Sequence, residues 1–463
     1  MSHTDSVLTR AEQDFESHVT SWLDWLRIPS ISANPAHNAD CQTAAAFAAR
    51  ELAAMGFTVE IVPTPGQPVV LASHFGAGEA APHLLYYGHY DVQPADPLEL
   101  WDADPFAPQI VEGPHGPRVV ARGAVDDKGQ VATWLAAFRA WFDTTGGLPA
   151  RITVLLEGEE EIGSPNLEPF IVAHRDRLAG SEIAVISDTN QWDIDTPALT
   201  ASVRGMAYVE VRLKGASRDL HSGMYGGSAL NAINALTRAL GQLHDDQGRV
   251  RIPGFYDGVE DISEAQKAAW QSLGFSEHDF LGEIGLSVPV GERDRSALER
   301  LWVRPTADIN GIWGGYQGPG SKTVIAAEAG AKISFRLVPG QSPAHIVAGF
   351  KQFMAAHVPA DAQLSFIEHA NAPGLAIDTA NRFVGAARAA LQAEFNRTPA
   401  LIGCGGSIPV VEGFRRVLGI DSLMMGFGLA DDKPHSPNEK FEIACFRHGL
   451  RSHVRFLGEV AGL

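Results

Sequence analysis

The sequence predicts an α/β protein, with a catalytic domain built on a helix-covered, mostly parallel sheet and an inserted α+β lid or dimerisation domain. Short, near-continuous apolar strands such as "HLLYYGHYD" and "RITVLLEGEEE" alternate with helical segments, which is typical of a sheet buried on both faces. The middle of the chain instead carries strands of alternating polarity. The length of 463 residues also favours two domains over one core.

The N-terminal elements follow from apolar periodicity and from helix breakers. Phe15, Val19 and Trp22 have helical spacing and predict a helix that ends at Pro29. A second helix, "CQTAAAFAARELAAMG", stops at Gly56, and the strand "FTVEIV" follows. The segment "ARGAVDDKG" leads into the helix "QVATWLAAFRAWF", and the strand "SEIAVISD" and the segment "SLMMGFGLADDKPHS" also run from apolar into polar residues.

The central segment predicts a separate module. Val209, Val211 and Leu213 alternate with polar neighbours, as in a half-exposed strand. The strands "AKISFRLVP" and "QLSFIEHA" and the helices "SALNAINALTRALGQLHD" and "PAHIVAGFKQFMAAHV" complete an α+β unit with an open sheet. We therefore expect a catalytic domain formed by residues 1–202 and 379–463, with the lid or dimerisation domain inserted at 203–378.

Charge and cysteine content exclude several classes of protein. The net charge of −19 argues against nucleic acid and anionic membranes as partners. Three scattered cysteines do not form a disulfide framework and indicate a reducing compartment. No signal peptide and no apolar run long enough to span a membrane is recognisable. We therefore expect a cytoplasmic protein.

Candidate functional residues lie where the predicted strands end. Ligands of α/β sheets bind beyond the carboxyl ends of the strands, and those ends carry His89, Asp126, Glu160, Glu161, Asp188 and His435. Taken singly, each has an ordinary structural explanation, such as a helix cap for the pair Asp126 and Asp127 or a solvated loop for the glutamates. Asp91, two residues after His89, could accept the free ring N–H of a metal-bound imidazole.

Together these residues predict a metal site. Adjacent Glu160 and Glu161 could serve as general base and metal ligand, with a water between the base and the metal. Mixed nitrogen and oxygen ligands suit zinc, manganese or cobalt better than calcium. One metal would use three or four ligands, so two histidines and three carboxylates suggest two metals with one bridging carboxylate.

The motifs resemble one known family over essentially the whole chain. The segments "GHYDVQP", "GAVDDKG", "EGEEEIGS", "ISD", "DLHSGMYGG", "FRLVP", "GGSIPV" and "ADDKPHSPNEK" are similar, in this order, to those of the M20 metallopeptidases. They look most like the dipeptidase branch of that family, of the cytosolic nonspecific dipeptidase and carnosinase type.

The resemblance implies a role for each matching residue. His89 and Asp188 would hold one divalent metal, Glu161 and His435 would hold the other, and Asp126 would bridge the two. Glu160 would be the general base and acid, and Asp91 would orient His89. A cis peptide bond is expected between Asp126 and Asp127. Zinc is the expected metal, with manganese or cobalt as alternatives.

The resemblance also implies which residues contact the substrate. His221 would act on the active site of a neighbouring subunit and help to stabilise the oxyanion, and Arg336 would bind the C-terminal carboxylate of a small peptide. The residues expected to line the pocket are Thr306, Asn310, Gly406 and Ser407. In this family an aspartate at position 188 resembles the dipeptidase and aminopeptidase side, which favours a dipeptide with a free amine. Relatives dimerise through the inserted domain, so a homodimer is expected.

The predicted function is metal-dependent hydrolysis of the amide bond of dipeptides. The nearer alternative is hydrolysis of N-acyl or N-carbamoyl amino acids at the same site. A more remote alternative is a non-catalytic relative that binds metal or a partner, but all the expected ligands and the base are present. Two glutamates of "EGEEEIGS" have no predicted role: Glu157 ends the strand, and Glu159 is expected to be solvated.

Overall fold

In the computed structural model, the described residues are 3–406 and 408–463. The chain forms two compact units. The first comprises residues up to Ala201 together with Ile377–Ile402 and Pro409–Leu463, and the second comprises Ser202–Ala376 and Gly403–Ile408, apart from Ser407. The divisions at 201/202 and 376/377 lie beside the predicted domain limits, whereas the short return of 403–408 to the second unit is not recognisable in the sequence.

The strands are numbered in chain order. They are β1 (Thr58–Val62), β2 (Val69–His74), β3 (His83–His89), β4 (Gln109–Gly113), β5 (Gly116–Val120), β6 (Arg151–Glu157), β7 (Ile183–Ile186), β8 (Ala198–Val203), β9 (Gly205–Lys214), β10 (Leu220–His221), β11 (Thr306–Gly314), β12 (Val324–Ile325), β13 (Glu328–Leu337), β14 (Gln363–Ala372), β15 (Leu375–Ala376), β16 (Ala400–Cys404), β17 (Asp421–Met424) and β18 (Lys440–Glu442).

The α-helices are numbered in the same way. They are α1 (His3–Gln13), α2 (Phe15–Leu26), α3 (Asn38–Ala53), α4 (Lys128–Thr145), α5 (Leu167–Ala173), α6 (Arg175–Leu178), α7 (Ser222–Tyr225), α8 (Ala232–Leu240), α9 (Glu264–Gln271), α10 (Glu277–Glu283), α11 (Ala297–Trp302), α12 (Pro343–His357), α13 (Arg382–Phe395), α14 (Pro409–Gly413) and α15 (Ile443–Val460).

The first unit contains most of a nine-stranded mixed sheet. The order of this sheet is β1-β2-β6-β3-β7-β17-β8-β15, with β16 paired to β8. The four central strands, β6, β3, β7 and β17, run parallel, and the pairs β1-β2, β2-β6, β17-β8 and β8-β15 are antiparallel. The central strands are fully buried except at their ends, as expected of a sheet covered on both faces. This arrangement confirms the predicted α/β class and aligns the carboxyl ends of three strands, β3, β6 and β7.

Helices α4 and α15 form much of the core of the first unit. Both are 18 residues long, and they pack against one another. Trp134 of α4 stacks on His453 of α15 with ring centroids 4.0 Å apart, and its indole N–H donates to Ser187 Oγ at 2.7 Å. Since Ser187 directly precedes Asp188, this packing holds the end of β7 in place.

The second unit is an α+β module. Its four-stranded antiparallel sheet has the order β11-β13-β9-β14. Helices α8 and α12 pack on one face through alternate residues of β9 and β13, including Val209, Val211, Ile333 and Phe335. The period-2 pattern therefore predicted three of the four strands, β9, β13 and β14, and the sequence also predicted the two helices that pack on them.

Several elements were not predicted from the sequence. Helices α9 to α11, between residues 264 and 302, and strand β11 are among them, because the helical stretch is rich in charge, is interrupted by glycine and lacks a sustained period. The N-terminal helix is likewise preceded by a separate helix, α1. Across residues 3–406 and 408–463, no helix combines the length and apolar character that a bilayer crossing requires.

Candidate metal centre

The candidate metal centre lies beyond the carboxyl ends of the central parallel strands. His89 is the last residue of β3 and lies opposite Glu157, the last residue of β6. The loop after β6 carries Glu160 and Glu161 on a short 3₁₀ turn, and Asp188 follows β7. The parallel register therefore brings to one edge the residues that the strand-end pattern predicted.

One group of potential ligands consists of His89, Asp126 and Asp188. Nε2 of His89 is 3.1 Å from Asp126 Oδ1 and 3.7 Å from Asp188 Oδ2. The histidine is fully buried, yet this nitrogen has no contact with hydrogen-bond geometry among the described residues. A buried nitrogen directed at two carboxylates without a hydrogen bond fits a metal ligand better than a structural histidine.

A second group consists of Asp126, Glu161 and His435. Nε2 of His435 is 2.9 Å from Asp126 Oδ2 and 3.1 Å from Glu161 Oε2. In each group the potential ligand atoms lie within 4.8 Å of one another. Asp126 belongs to both groups and directs a different oxygen to each, which is the arrangement a bridging carboxylate needs. The donor set of imidazole nitrogen and carboxylate oxygen fits zinc, manganese or cobalt.

His435 lies on a loop of unusual backbone conformation. Lys433, His435 and Asn438 have left-handed φ values of 57°, 59° and 61°, a region that few residues other than glycine adopt. Asn438 ties the loop down, since its Oδ1 accepts from Asp102 N at 2.9 Å and its Nδ2 donates to Leu100 O at 3.1 Å. Such a conformation persists only where the surroundings fix it.

Asp91 contacts the site differently from the prediction. The Nδ1 atom of His89 is hydrogen-bonded to the main-chain oxygen of Asp91 at 3.1 Å, whereas the carboxylate is 3.3 Å away. That carboxylate instead accepts from the main-chain N–H groups of Glu160 at 3.2 Å and Glu161 at 3.1 Å. Asp91 therefore orients His89 through its backbone and the two glutamates through its side chain.

The adjacent aspartates have separate tasks. The peptide bond between Asp126 and Asp127 is cis. Asp127 occupies the N-cap position of α4, but its side chain makes no capping hydrogen bond. Its Oδ2 accepts from the main-chain N–H of His89 at 3.2 Å, so the capping interpretation of the sequence is wrong for this side chain.

Electrostatics distinguish Glu160 from a solvated glutamate. Burial, with the neighbouring charges of Glu161, Asp126 and Asp91, raises the pKa of Glu160 to about 7, although the charge of His89 opposes this. A carboxyl group whose pKa lies near neutrality can both accept and return a proton. Hydrogen bonds to Asp126 and Glu161 raise the pKa of His435 to about 10, which reflects the concentration of negative charge beside it.

The other two glutamates of this segment, one at the end of β6 and one in the loop after it, hydrogen-bond to neighbouring side chains. Glu157 is buried, and its Oε1 accepts from Tyr87 Oη at 2.5 Å and Ser164 Oγ at 2.9 Å. Glu159 is only 6% exposed and accepts from Asn166 Nδ2 at 2.7 Å. The expectation that Glu159 is solvated is therefore wrong.

Two residues that contact the ligands were missed in the sequence. Gln93 donates from Nε2 to Glu161 Oε2 at 2.8 Å and to its main-chain oxygen at 3.1 Å. Glu439 accepts from the main-chain N–H of Asp126 at 3.1 Å. Gln93 stands in "GHYDVQP" and Glu439 in "ADDKPHSPNEK", so only their position inside these motifs could have pointed to them.

The substrate-side residues predicted from the sequence belong to the second unit. His221 ends β10 and is exposed in this unit; its Nδ1 accepts from Gly223 N at 3.0 Å, so a buried structural role does not apply. Arg336 of β13 is half-buried and lies opposite Thr306 of β11.

The remaining predicted pocket residues are less constrained. Thr306 lines a cavity of about 560 Å³ in the second unit. Asn310 is exposed at the bulge of β11 between Ile309 and Gly311. Gly406 is half-buried, and a Cβ there would meet only Cys404 Sγ at 3.6 Å, so the protein itself does not require glycine. Ser407 lies outside the described residues.

The fold and the candidate site are those of a dinuclear metal-dependent hydrolase. The chain belongs to peptidase family M20/M25/M40, whose sequence profile matches residues 85–459. The "Beta-Ala-His dipeptidase" of Rattus norvegicus is 30% identical, over 97% of this chain and 94% of that protein. The protein is thus a metallopeptidase by family.

Two solved structures are similar over nearly the full length. The di-peptidase Dug1p of Saccharomyces cerevisiae superposes with a TM-score of 0.80, at 28% identity and with all of both chains covered. The metallo-carboxypeptidase Sso-CP2 of Sulfolobus solfataricus gives 0.81 at 28% identity, over 96% of this chain and 99% of that one. These similarities confirm the fold. One of the two similar proteins is named as a dipeptidase and the other as a carboxypeptidase.

Proposed function

We propose that the protein is a metallo-dipeptidase that hydrolyses the amide bond of dipeptides with a free amino group. The observation that carries the proposal is the pair of ligand groups that share Asp126, with Glu160 directly preceding the ligand Glu161. The relative named as a dipeptidase is similar over almost the whole chain, which supports this substrate class over N-acyl or N-carbamoyl amino acids.

The proposed centre holds two divalent metals, with zinc expected and manganese or cobalt as alternatives. His89 and Asp188 would hold one, Glu161 and His435 would hold the other, and Asp126 would belong to both ligand sets. When bound, such a pair acidifies a water molecule and polarises a carbonyl oxygen. The main-chain N–H groups of Glu160 and Glu161 donate hydrogen bonds to the Asp91 carboxylate, which fixes the loop that carries the ligand Glu161.

Glu160 carries the proton in the proposed mechanism. Its carboxylate takes a proton from the attacking water and returns it to the nitrogen of the leaving amine. His221 would donate a hydrogen bond to the oxyanion.

The second unit supplies the proposed contacts to substrate. Arg336 would bind the C-terminal carboxylate, since a guanidinium group can donate two parallel hydrogen bonds to it. The pocket would be completed by Thr306, Asn310, Gly406 and Ser407.

A homodimer is part of the proposal. Strand β11 lies at the edge of the second unit's sheet and exposes Ile309, Ile312 and Trp313. An apolar edge strand is a surface on which a second copy can pair. In such a dimer His221 would serve the active site of the partner subunit. A cytoplasmic location is also part of the proposal, because the scattered cysteines favour a reducing compartment.

The test is an activity panel on protein reconstituted with Zn²⁺ or Mn²⁺. Dipeptides are expected to be hydrolysed, whereas the N-acetyl and N-carbamoyl derivatives of the same amino acids are not. Preferential hydrolysis of the blocked amino acids would replace the dipeptidase assignment with the amidohydrolase alternative. No turnover of any substrate by protein containing two metals would favour the non-catalytic alternative.

A further inference from the structure

The carboxylate of Glu439 accepts four hydrogen bonds from a single short segment. Its Oε2 accepts from Arg122 Nη1 at 2.7 Å and from Gly123 N at 3.0 Å. Its Oε1 accepts from Val125 N at 3.0 Å and from Asp126 N at 3.1 Å. Glu439 is fully buried, so these bonds are not weakened by competition with water.

Glu439 also belongs to the chain segment that carries the other metal loop. It follows His435 by four residues, and its main-chain oxygen accepts from Ala121 N at 3.1 Å. Its side chain and backbone thus join the loop that ends in Asp126 to the loop that carries His435. These two loops supply the shared ligand and one ligand of the second group, although they lie 313 residues apart in sequence between Asp126 and Glu439.

The charge of Glu439 is balanced inside the protein. Arg122 is 1% exposed, and besides its contact with Glu439 it donates to Pro94 O at 3.3 Å and lies over the Trp101 ring at 5.4 Å. The four donors to the carboxylate are one guanidinium N–H group and three main-chain N–H groups, and none of these groups can bind a metal ion. Glu439 therefore has no free oxygen lone pair directed at the site and is not a ligand itself.

We propose that Glu439 is a positioning residue for the metal pair. By fixing the main chain from Gly123 to Asp126 against the segment after His435, it sets where the two oxygens of Asp126 lie relative to His89 and His435. The inference rests on the proposed dinuclear site. It assigns Glu439 no proton transfer and no contact with substrate.

The test compares Glu439→Gln with Glu442→Gln in metal binding. Both glutamates are fully buried, but Glu442 contacts Lys440 Nζ at 3.0 Å rather than the Asp126 loop. Metal-free proteins are titrated with Co²⁺ by calorimetry and visible absorption, and folding is checked by circular dichroism. In Glu439→Gln an amide N–H₂ replaces an acceptor oxygen and faces main-chain donors.

We expect at least one Co²⁺ affinity of Glu439→Gln to fall roughly 10- to 100-fold, the usual effect of losing a group that orients metal ligands. Its cobalt absorption spectrum should also change, whereas Glu442→Gln should match the wild type. Unchanged affinities in Glu439→Gln, or equal losses in both variants, would overturn the proposal. Wild-type protein that binds fewer than two Co²⁺ ions would instead overturn the proposed metal pair, and this inference with it.

A second variant covers the case in which Glu439→Gln does not fold. Glu439→Asp keeps the buried charge opposite Arg122 but shortens the side chain by one methylene, so the carboxylate can no longer reach all four donors at their present positions. We expect weaker Co²⁺ binding in a folded protein. Wild-type affinity and spectrum in folded Glu439→Asp would contradict a positioning role.

Discussion

Asp126 Oδ1 lies 3.1 Å from Nε2 of His89, and this contact lacks the geometry of a hydrogen bond although the histidine is fully buried. The other oxygen of Asp126 is directed at His435. One carboxylate therefore faces a histidine from each of two strand-end loops. The metal content of the protein should depend on this side chain more than on any other single ligand.

Substitution of the shared ligand should affect both metals. Asp126→Asn is expected to lower bound zinc from two ions per chain to one or none, because the amide offers only one acceptor oxygen and cannot serve both ligand sets. Asp188→Asn and Glu161→Gln should each lose one ion. Elemental analysis after dialysis against metal-free buffer measures the stoichiometry. Two ions retained by Asp126→Asn would exclude a bridging role.

The carboxylate of Asp91 should affect turnover because it holds the backbone of Glu160 and Glu161 in place. Asp91→Asn replaces one of the two oxygens that accept from the main-chain N–H groups of Glu160 and Glu161. We expect dipeptidase turnover to fall roughly 10- to 100-fold in a folded protein. Glu159→Gln is the matched control: Glu159 is also buried but bonds to Asn166, so its substitution should leave turnover nearly unchanged. Equal effects of the two changes would refute a specific role of Asp91.

The proposed action of His221 across a dimer can be tested by complementation. Glu160→Gln and His221→Ala should each be inactive alone. If both are co-expressed and assemble at random, half of the dimers are mixed and each mixed dimer has one intact site, so roughly a quarter of wild-type activity should return. No recovery from a mixture that forms mixed dimers would show that His221 acts within its own chain.

The stability of the first unit at acid pH should depend on His18. Burial, as the largest cause, lowers its pKa to about 4, with the charges of Arg139 and Arg10 acting in the same direction and those of Asp14 and Asp143 opposing them. The unfolded chain therefore takes up a proton at higher pH than the folded one. Stability from the neutral histidine is present above about pH 6.5 and is lost as the pH falls towards 4.

The measurement for His18 is denaturant unfolding of metal-free protein between pH 7 and pH 4. Over this range the free energy of unfolding should fall by up to about 3 kcal/mol more in the wild type than in His18→Gln. His115→Gln, at an exposed position between β4 and β5, serves as the control and should follow the wild type. The same slope in all three proteins would contradict the prediction.

The sequence indicated the site because its ligands follow locally recognisable strands. Apolar runs that end in histidine or acid mark the carboxyl edge of a parallel sheet, and neighbouring strands of that sheet then bring His89, Glu161 and Asp188 together. Helices α9 to α11 were missed because their stretch has no sustained apolar period. Their packing depends on contacts that a local pattern does not contain.

Contacts between residues that lie far apart in the chain could not be predicted from local sequence patterns. The hydrogen bonds from Gly123, Val125 and Asp126 to Glu439 join residues more than 300 positions apart. The sequence left a capping role and a second task equally open for the pair Asp126 and Asp127, and the side chain of Asp127 bonds to the backbone of His89. Tertiary structure decided this case, and it alone shows the contacts of Glu439.

The most direct test of the account is the effect of Glu160→Gln on metal content and dipeptide turnover, measured on the same sample. Gln has nearly the shape of Glu but cannot accept a proton at neutral pH. We predict two metal ions per chain, as in the wild type, with turnover reduced roughly 100- to 10,000-fold, the contribution expected of a general base. Turnover close to that of the wild type in protein with both metals would contradict the assignment of Glu160 and the proposed mechanism.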